Sequence, residues 1–278
     1  MAETVLVLAK PTQGDPHFYS RWESFGKVLT YAYTDELEEV TILVVDQHTQ
    51  LLPGLRKDFP SLKYVCSATT GHTHLEFDPD SEEVKLVTLR GEREFLDDVR
   101  SVSEFTLKLM LELARPLDRL GRGLNKKTCL IIGVGRIGRQ VYDLACRLGM
   151  TCLLYDKESN PCLLQEKFEQ SDFVTIHCDE NPSSKGLISR ELIFSMKPTA
   201  YLINTARGSI IDEKALAEAL YSHKIAGAAV DVVEDKKVLH SGVPNLIITP
   251  HVAGSTLEDR VRTDEFIAYK LKGLLSAN

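Results

Sequence analysis

The chain has 278 residues, a formal net charge of −7 and a pI near 5.7. That length is enough for two domains, and the acidic balance without a basic tract argues against a nucleic-acid partner. An apolar content of 43% and a charged content of 26% fit a soluble globular protein, and no apolar run is long enough to span a bilayer.

The first ten residues, Met-Ala-Glu-Thr-Val-Leu-Val-Leu-Ala-Lys, carry an acid where a signal peptide needs a basic region. Thr4–Leu8 reads as a strand instead, and so does Val40–Val45. Leu51–Leu55 is expected as a short helix. Lys63–Ser67 is a strand ending at Ala68-Thr69-Thr70-Gly71, and Val84–Leu89 is a further strand. Strands separated by helix-length spacers make a parallel α/β sheet, so residues 1 to about 98 form one α/β unit. Residues 101–115 then read as a helix. Val102, Phe105, Leu107, Met110, Leu111 and Leu113 make it apolar almost all round, which predicts burial between domains.

Gly121-Arg-Gly123 marks a loop before the most informative stretch, Thr128 to Asp156. Cys129 to Ile132 is a short apolar run that suits a strand buried on both faces. Gly133, Gly135 and Gly138 follow as Gly-x-Gly-x-x-Gly. Ile137, Val141, Leu144, Ala145 and Leu148 then form one helical stripe, ended by Gly149. A second apolar run, Cys152 to Tyr155, stops at Asp156, 18 positions past Gly138. Each part has a physical job. Gly133 turns tightly off the strand, Gly135 admits a pyrophosphate to the backbone, and Gly138 lets helix and sheet pack closely. The helix N-terminus offers N–H groups and the positive dipole end to the anion. Asp156 accepts hydrogen bonds from a ribose and would repel a 2′-phosphate, so NAD is favoured over NADP.

The rhythm continues with Phe173–Ile176 as a strand, Arg190–Met196 as a short helix, Ala200–Ile203 as a strand and Glu213–Ser222 as a helix. Ala228–Val232 and Leu246–Ile248 are two more strands. The last helix, Leu257–Leu275, is expected to return to the first domain. Ligands bind outside the carboxyl ends of parallel strands, and two side chains there are suited to chemistry. Arg207, in Asn204-Thr205-Ala206-Arg207-Gly208, can clamp a carboxylate with its planar fork. His251, in Thr249-Pro250-His251-Val252-Ala253-Gly254-Ser255, can exchange a proton near neutral pH. Asp231-Val232-Val233-Glu234-Asp235 closes a strand, and a carboxylate beside His251 would raise its pKa. His72-x-His74 lacks a usual zinc spacing and reads as loop polarity, so no metal is expected. The six cysteines, Cys66, Cys129, Cys146, Cys152, Cys162 and Cys178, include no Cys-x-x-Cys pair and sit largely in apolar runs. They read as reduced core residues of a cytoplasmic protein.

Four segments in order and register resemble the D-isomer-specific 2-hydroxyacid dehydrogenase family. They are Gly-Val-Gly-Arg-Ile-Gly (133–138), Ile-Asn-Thr-Ala-Arg-Gly-Ser-Ile-Ile-Asp (203–212), Ala-Gly-Ala-Ala-Val-Asp-Val (226–232) and Thr-Pro-His-Val-Ala-Gly-Ser-Thr (249–256). The resemblance spans about Lys63 to Ser255, and residues 1–60 carry no motif. It implies two doubly wound parallel-sheet domains, Rossmann-like and flavodoxin-like, with an interdomain cleft. Residues 1–98 plus 258–278 would be the substrate domain and 99–257 the NAD-binding domain.

The resemblance also implies roles. Arg207 matches the arginine that binds the substrate carboxylate and keto oxygen, and His251 matches the acid/base histidine. Thr70 and Gly71 fall in the loop whose amides hold the substrate carboxylate. Ser103-Glu104 matches the start of the interdomain helix. Arg136 and Ile137 match residues capping the pyrophosphate, Asp156 the ribose-binding acid, and His177 and Cys178 a cofactor-lining turn. Thr205, Ala206 and Asp231 match residues near the nicotinamide. One departure stands out: the family's Asp-Val-Phe-x-x-Glu-Pro supplies a glutamate partner for the histidine, and that register position is Lys236 here. Glu234 serves in its place if the shortened loop shifts register, and Asp235 is the next choice. Otherwise the dyad is broken, and a nearby lysine would lower the pKa of His251. The expected function is hydride transfer between NAD(H) and a small 2-hydroxy or 2-oxo acid. The alternative is an NAD(H)-binding sensor or scaffold. The resemblance further implies a homodimer. The choice among glyoxylate, hydroxypyruvate, phosphoglycerate and larger oxo acids stays open, with the loops Thr69–His74 and Arg90–Phe95 as the expected source of specificity.

Overall fold

The computed structural model describes residues 3–11, 14–30, 37–51, 54–71, 75, 83–118 and 120–277. These residues fall into two compact units, Met1–Val99 with Thr256–Asn278, and Arg100–Ser255. Each is an α/β unit around one all-parallel sheet, the fold class that the alternation of apolar runs and helix-length spacers implies.

The first unit contains β1 (Glu3–Val7), α1 (Phe18–Glu23), β2 (Gly26–Thr30), β3 (Ile42–Val45), α2 (Leu55–Asp58), β4 (Tyr64–Ser67), β5 (Lys85–Thr88) and α3 (Arg93–Asp97). Its sheet order, β2-β1-β3-β4-β5, is the flavodoxin-like doubly wound order. Alternate residues of each central strand serve opposite faces. Val5, Val7, Ile42, Val44, Tyr64 and Cys66 pack with Phe18, Trp22, Leu96 and the C-terminal helix Leu257–Ser276, through Ile267, Ala268 and Leu271. Leu6, Leu43, Val45 and Val65 pack with Phe59 and Leu62 on the other side. A parallel strand covered on both faces needs a continuous apolar run, which β3 and β4 have.

Three elements of this unit, β2, α1 and α3, escape the sequence reading, and α3 takes up the end of the stretch Arg90–Phe95 expected as a loop. In β2 only Leu29 is fully buried, because the strand lies at the sheet edge. Helix α1 is six residues long and buries only Phe18 and Trp22. The helix expected over Leu51–Leu55 lies elsewhere. Leu51 forms a parallel bridge with Leu75, Gly54 stands at φ 90°, and α2 begins after it. Residues 52 and 53 lie outside the described residues.

The second unit contains α4 (Ser101–Ala114), β6 (Thr128–Ile132), α5 (Arg136–Arg147), β7 (Thr151–Tyr155), α6 (Leu164–Gln170), β8 (Phe173–Ile176), α7 (Arg190–Ser195), β9 (Tyr201–Asn204), α8 (Glu213–Tyr221), β10 (Gly227–Val230) and β11 (Leu246–Ile248). Its order is β11-β10-β9-β8-β6-β7, parallel throughout. Leu130, Ile132, Val174, Ile176, Leu202 and Val230 meet Phe168, Ile193, Leu216 and Leu220 from α6, α7 and α8. Cys129, Ile131, Phe173, Ile203 and Ala229 meet Leu109, Met110, Val141 and Ala145 from α4 and α5. Helix α4 is not apolar all round in its packing. Its buried face is Ser101, Ser103, Thr106, Leu109, Met110 and Ala114, while Leu111 is 40% exposed.

Candidate active site

Because all six strands of the second sheet run the same way, the loops that follow them emerge at one edge. Every second-unit candidate that directly follows a strand lies there. Gly133 to Gly138 follow β6, Asp156 follows β7, His177 and Cys178 follow β8, Thr205 to Arg207 follow β9, Asp231 follows β10 and His251 follows β11. The chain passes from β6 outward to β7 and then back across to β8, so the strand order reverses between β6 and β8. A crevice opens at such a reversal and takes ligands.

At that reversal the backbones are close. Gly133 has φ 89°, and a Cβ on it would lie 2.4 Å from the Cys178 nitrogen. A Cβ on Gly138 would lie 1.9 Å from the Gly133 carbonyl oxygen. Both glycines are therefore required by the protein's own packing. Gly135 differs: a Cβ there meets no atom within 4 Å, so the protein itself does not demand glycine. The residue caps α5 in extended conformation with no side-chain acceptor for the first-turn N–H groups, and no acid lies in that turn. Asp156 stands beside this turn, its Oδ2 accepting from Val134 N at 3.3 Å and its Oδ1 from Lys157 N at 2.8 Å. The Cys178 thiol is pushed up to about 11 by burial, then by the carboxylates of Asp179 and Asp156, which puts Cys178 and Asp156 in one neighbourhood. Both ring nitrogens of His177 are shut off from solvent without a hydrogen-bond partner. Burial holds that imidazole down at about 3, so it is neutral at physiological pH. Space at Gly135, an uncapped helix end, an acid at the next strand tip and orphaned polar atoms at His177 fit a dinucleotide.

On the other side of β8 the loops are pinned by buried side chains. Asn204, 1% exposed, accepts from Ala206 N at 3.0 Å and donates from Nδ2 to the Arg207 oxygen at 2.8 Å. The turn between them is thereby fixed. Arg207 Nη1 donates to the Ala206 oxygen at 2.7 Å, and its guanidinium is half-buried. Thr106 Oγ1 donates to the Val102 oxygen, so its 3.1 Å contact with Thr205 is donated by Thr205.

His251 has φ 57°, a left-handed conformation that costs a non-glycine residue roughly 1–3 kcal/mol. Asp231 holds it there. Its carboxylate accepts from Thr249 Oγ1 at 2.6 Å, Val252 N at 2.9 Å and Ala253 N at 2.8 Å. The Asp231 carbonyl oxygen accepts from His251 N at 3.0 Å. Asp231 thus organises the histidine turn, which its sequence position alone does not reveal.

Glu213 is a second such residue, and sequence reasoning misses it. Its buried carboxylate accepts from Glu234 N and Asp235 N, both at 2.8 Å, beside Gly208. Glu234, Asp235 and Lys236 have exposed side chains, and Asp235 Oδ1 accepts from Lys237 N. The carboxylate hydrogen-bonded into the 249–253 turn is that of Asp231.

Among the other expected residues, Ser103 Oγ donates to the Arg100 oxygen inside α4, and Glu104 is exposed. In the first unit Thr70 and Gly71 follow β4. Thr69 braces them, its Oγ1 donating to the Gly71 oxygen at 3.1 Å and its carbonyl accepting from Leu89 N at 3.0 Å. His72 and His74 lie outside the described residues. Among the described residues no cluster of His, Cys, Asp and Glu suits a metal ion, and no helix is long and apolar enough to cross a membrane.

Residues 94–253 match the model of the D-isomer-specific 2-hydroxyacid dehydrogenase NAD-binding domain. The chain belongs to this family. It is 30% identical to D-3-phosphoglycerate dehydrogenase of Methanocaldococcus jannaschii over 87% of its own length, though it spans only 51% of that relative. It is also 30% identical to hydroxypyruvate reductase of Thermotoga maritima, covering 81% of this chain and 82% of the relative. D-lactate dehydrogenase from Aquifex aeolicus, solved with NAD and lactic acid, superposes with a TM-score of 0.78 at 25% identity, covering 98% of this chain and 96% of that one.

Proposed function

We propose that this protein is an NAD-dependent oxidoreductase that interconverts a small 2-hydroxy acid and its 2-oxo form. The observation that carries the reading is the placement of Arg207 and His251. They follow β9 and β11, on either side of β10, at the sheet edge that also bears the dinucleotide turn. The substrates named for the relatives, phosphoglycerate, hydroxypyruvate and lactate, fall in this chemical class.

Gly135, the α5 N-terminus, Asp156 and His177 would hold the cofactor, which supplies or accepts the hydride when bound. Arg207 orients the substrate by pairing with its carboxylate and polarises the carbonyl oxygen. His251 delivers a proton to that oxygen in reduction and removes it in oxidation. Asp231 keeps the imidazole's backbone in its left-handed conformation, so proton transfer does not wait on a loop rearrangement. Asp156 would disfavour a 2′-phosphate and thus NADP.

The proposal extends to assembly and compartment. Leu117 and Leu120, just past α4, are 98% and 101% exposed, and a second copy of the chain would cover them in a homodimer. Light scattering at twice the chain mass is the expected result. Free thiols in all six cysteines suit a cytoplasmic setting.

The test is NADH oxidation across a panel of 2-oxo acids, repeated with His251→Ala. The variant should bind NADH as the unaltered protein does and lose turnover by roughly 100-fold or more. Undiminished turnover in His251→Ala would remove the histidine from the mechanism. Absence of turnover with every 2-oxo acid, alongside normal NADH binding, would favour the sensor reading, to which the lysine at position 236 gives weight.

A further inference from the structure

Three of the six cysteines meet on one face of the second sheet, away from the edge that carries Arg207 and His251. Cys129 and Cys152 are register partners on β6 and β7. Both pack on the side that α5 covers with Val141 and Ala145. Cys146 lies one residue before the end of α5, and its Sγ is 3.7 Å from Cys152 Sγ. The three thiols are graded by depth: Cys129 is buried, Cys152 half-buried and Cys146 exposed.

Packing explains the first of these and not the last. A buried thiol acts as a small apolar side chain, which accounts for Cys129 among Ile131, Phe173 and Ala145. Cys146 gains nothing of that kind from its exposed position. What the fold gives it is a second thiol in contact. A disulfide needs its sulfurs about 2.05 Å apart, and these two already stand 3.7 Å apart.

We propose that Cys146 and Cys152 form a reversible dithiol modification site, oxidised by a peroxide to an intramolecular disulfide and restored by a small thiol. Exposure makes Cys146 the attacking sulfur. Burial, and then the neighbouring Cys146, push the Cys152 thiol up to about 12, which suits it to the second step rather than the first. In the first step the Cys146 thiolate attacks hydrogen peroxide. An S–O bond forms, the O–O bond breaks, and hydroxide leaves to be protonated to water. In the second step Cys152 sulfur attacks the sulfenic acid on Cys146 as its proton is lost. The S–S bond forms, the S–O bond breaks, and a second water leaves. Two thiols and one peroxide give one disulfide and two waters, the sulfurs losing the two electrons that the peroxide gains. Reduction consumes two small thiols, through a mixed disulfide, and returns both cysteines.

The test uses the whole protein, treated with a small excess of hydrogen peroxide, alkylated with iodoacetamide and digested with trypsin without reduction. Cleavage at Arg139, Arg147 and Lys157 separates the two cysteines, with Cys146 in peptide 140–147 and Cys152 in 148–157. The expected product is these two peptides joined, two hydrogens lighter than their sum, in protein that stays monomeric on a denaturing non-reducing gel. Dithiothreitol should restore both alkylated peptides. Alkyl label on both cysteines after peroxide would overturn the proposal, as would a pairing through Cys129 or between chains. A second variant measures the resolving step directly. In Cys152→Ser, with an unchanged melting temperature, dimedone should label Cys146 several-fold more than in the unaltered protein. Equal labelling of the two would also overturn the assignment. If the serine variant does not fold, Cys152→Ala serves, and the peptide result on the unaltered protein decides alone.

Discussion

The three glycines of the dinucleotide turn have different owners. Gly138 belongs to the fold, because an added methyl would collide with the Gly133 carbonyl at 1.9 Å. Gly135 faces open space, and under the proposed function that space is the cofactor's. Gly138→Ala should lower the unfolding free energy by about 3 kcal/mol or more, as an overpacked core site does. Gly135→Ala should leave stability within about 0.5 kcal/mol of the unaltered protein and weaken NADH binding at least roughly tenfold, since a methyl would stand in the space kept for the phosphates. Urea unfolding and NADH fluorescence titration separate the two. Equal stability losses would contradict the division. At the same scale, His251, the proposed acid/base residue, carries backbone strain that a neighbour holds. Its strained φ persists because Asp231 takes three hydrogen bonds from the residues around it.

Elements of both units are legible in proportion to their burial and to how local their signal is. Strands covered on both faces, such as β6, β8 and β10, show as apolar runs. The dinucleotide turn is legible because strand, glycines, helix and acid lie within one continuous stretch. The edge strand β2, the brief α1 and the seven-residue α6 were not, because each buries only one or two residues fully and leaves no periodic pattern. That Arg207 and His251 follow strand ends is legible in the sequence, while their proposed roles rest on the family resemblance. The residues that pin their loops are not legible there. Asp231 acts on a turn about twenty residues downstream, and Glu213 at the start of α8 acts on amides 21 and 22 positions away. The role of Glu213 gives a prediction for that element. In Glu213→Ala the amides of Glu234 and Asp235 lose their acceptors, and hydrogen exchange there should speed by at least roughly tenfold. Exchange within β10 should stay slow. Unchanged protection at both amides would show that something other than Glu213 holds the loop.

For the whole molecule, pH sensitivity of folding should come partly from the first unit. Asp264 is held up at about 6, chiefly by burial, although Arg21 and Arg260 pull it down and Asp15 and Asp46 add to the rise. Its folded form therefore binds the proton more tightly than the unfolded chain. The resulting stability is full below the ordinary carboxyl value of 3.8 and is lost as the pH rises through about 6. Above that, the ionised group costs the fold at most about 3 kcal/mol. Asp264→Asn should accordingly raise the melting temperature at neutral pH and lose that advantage near pH 4. An equal gain at both pH values would rule out titration as the cause.

The account as a whole depends on the second unit gripping a nicotinamide dinucleotide. Isothermal titration of the folded protein with NADH tests this most directly, run beside NADPH. One saturable site per chain, with NADH bound more tightly than NADPH, is the predicted outcome. No heat of binding with either nucleotide would contradict it.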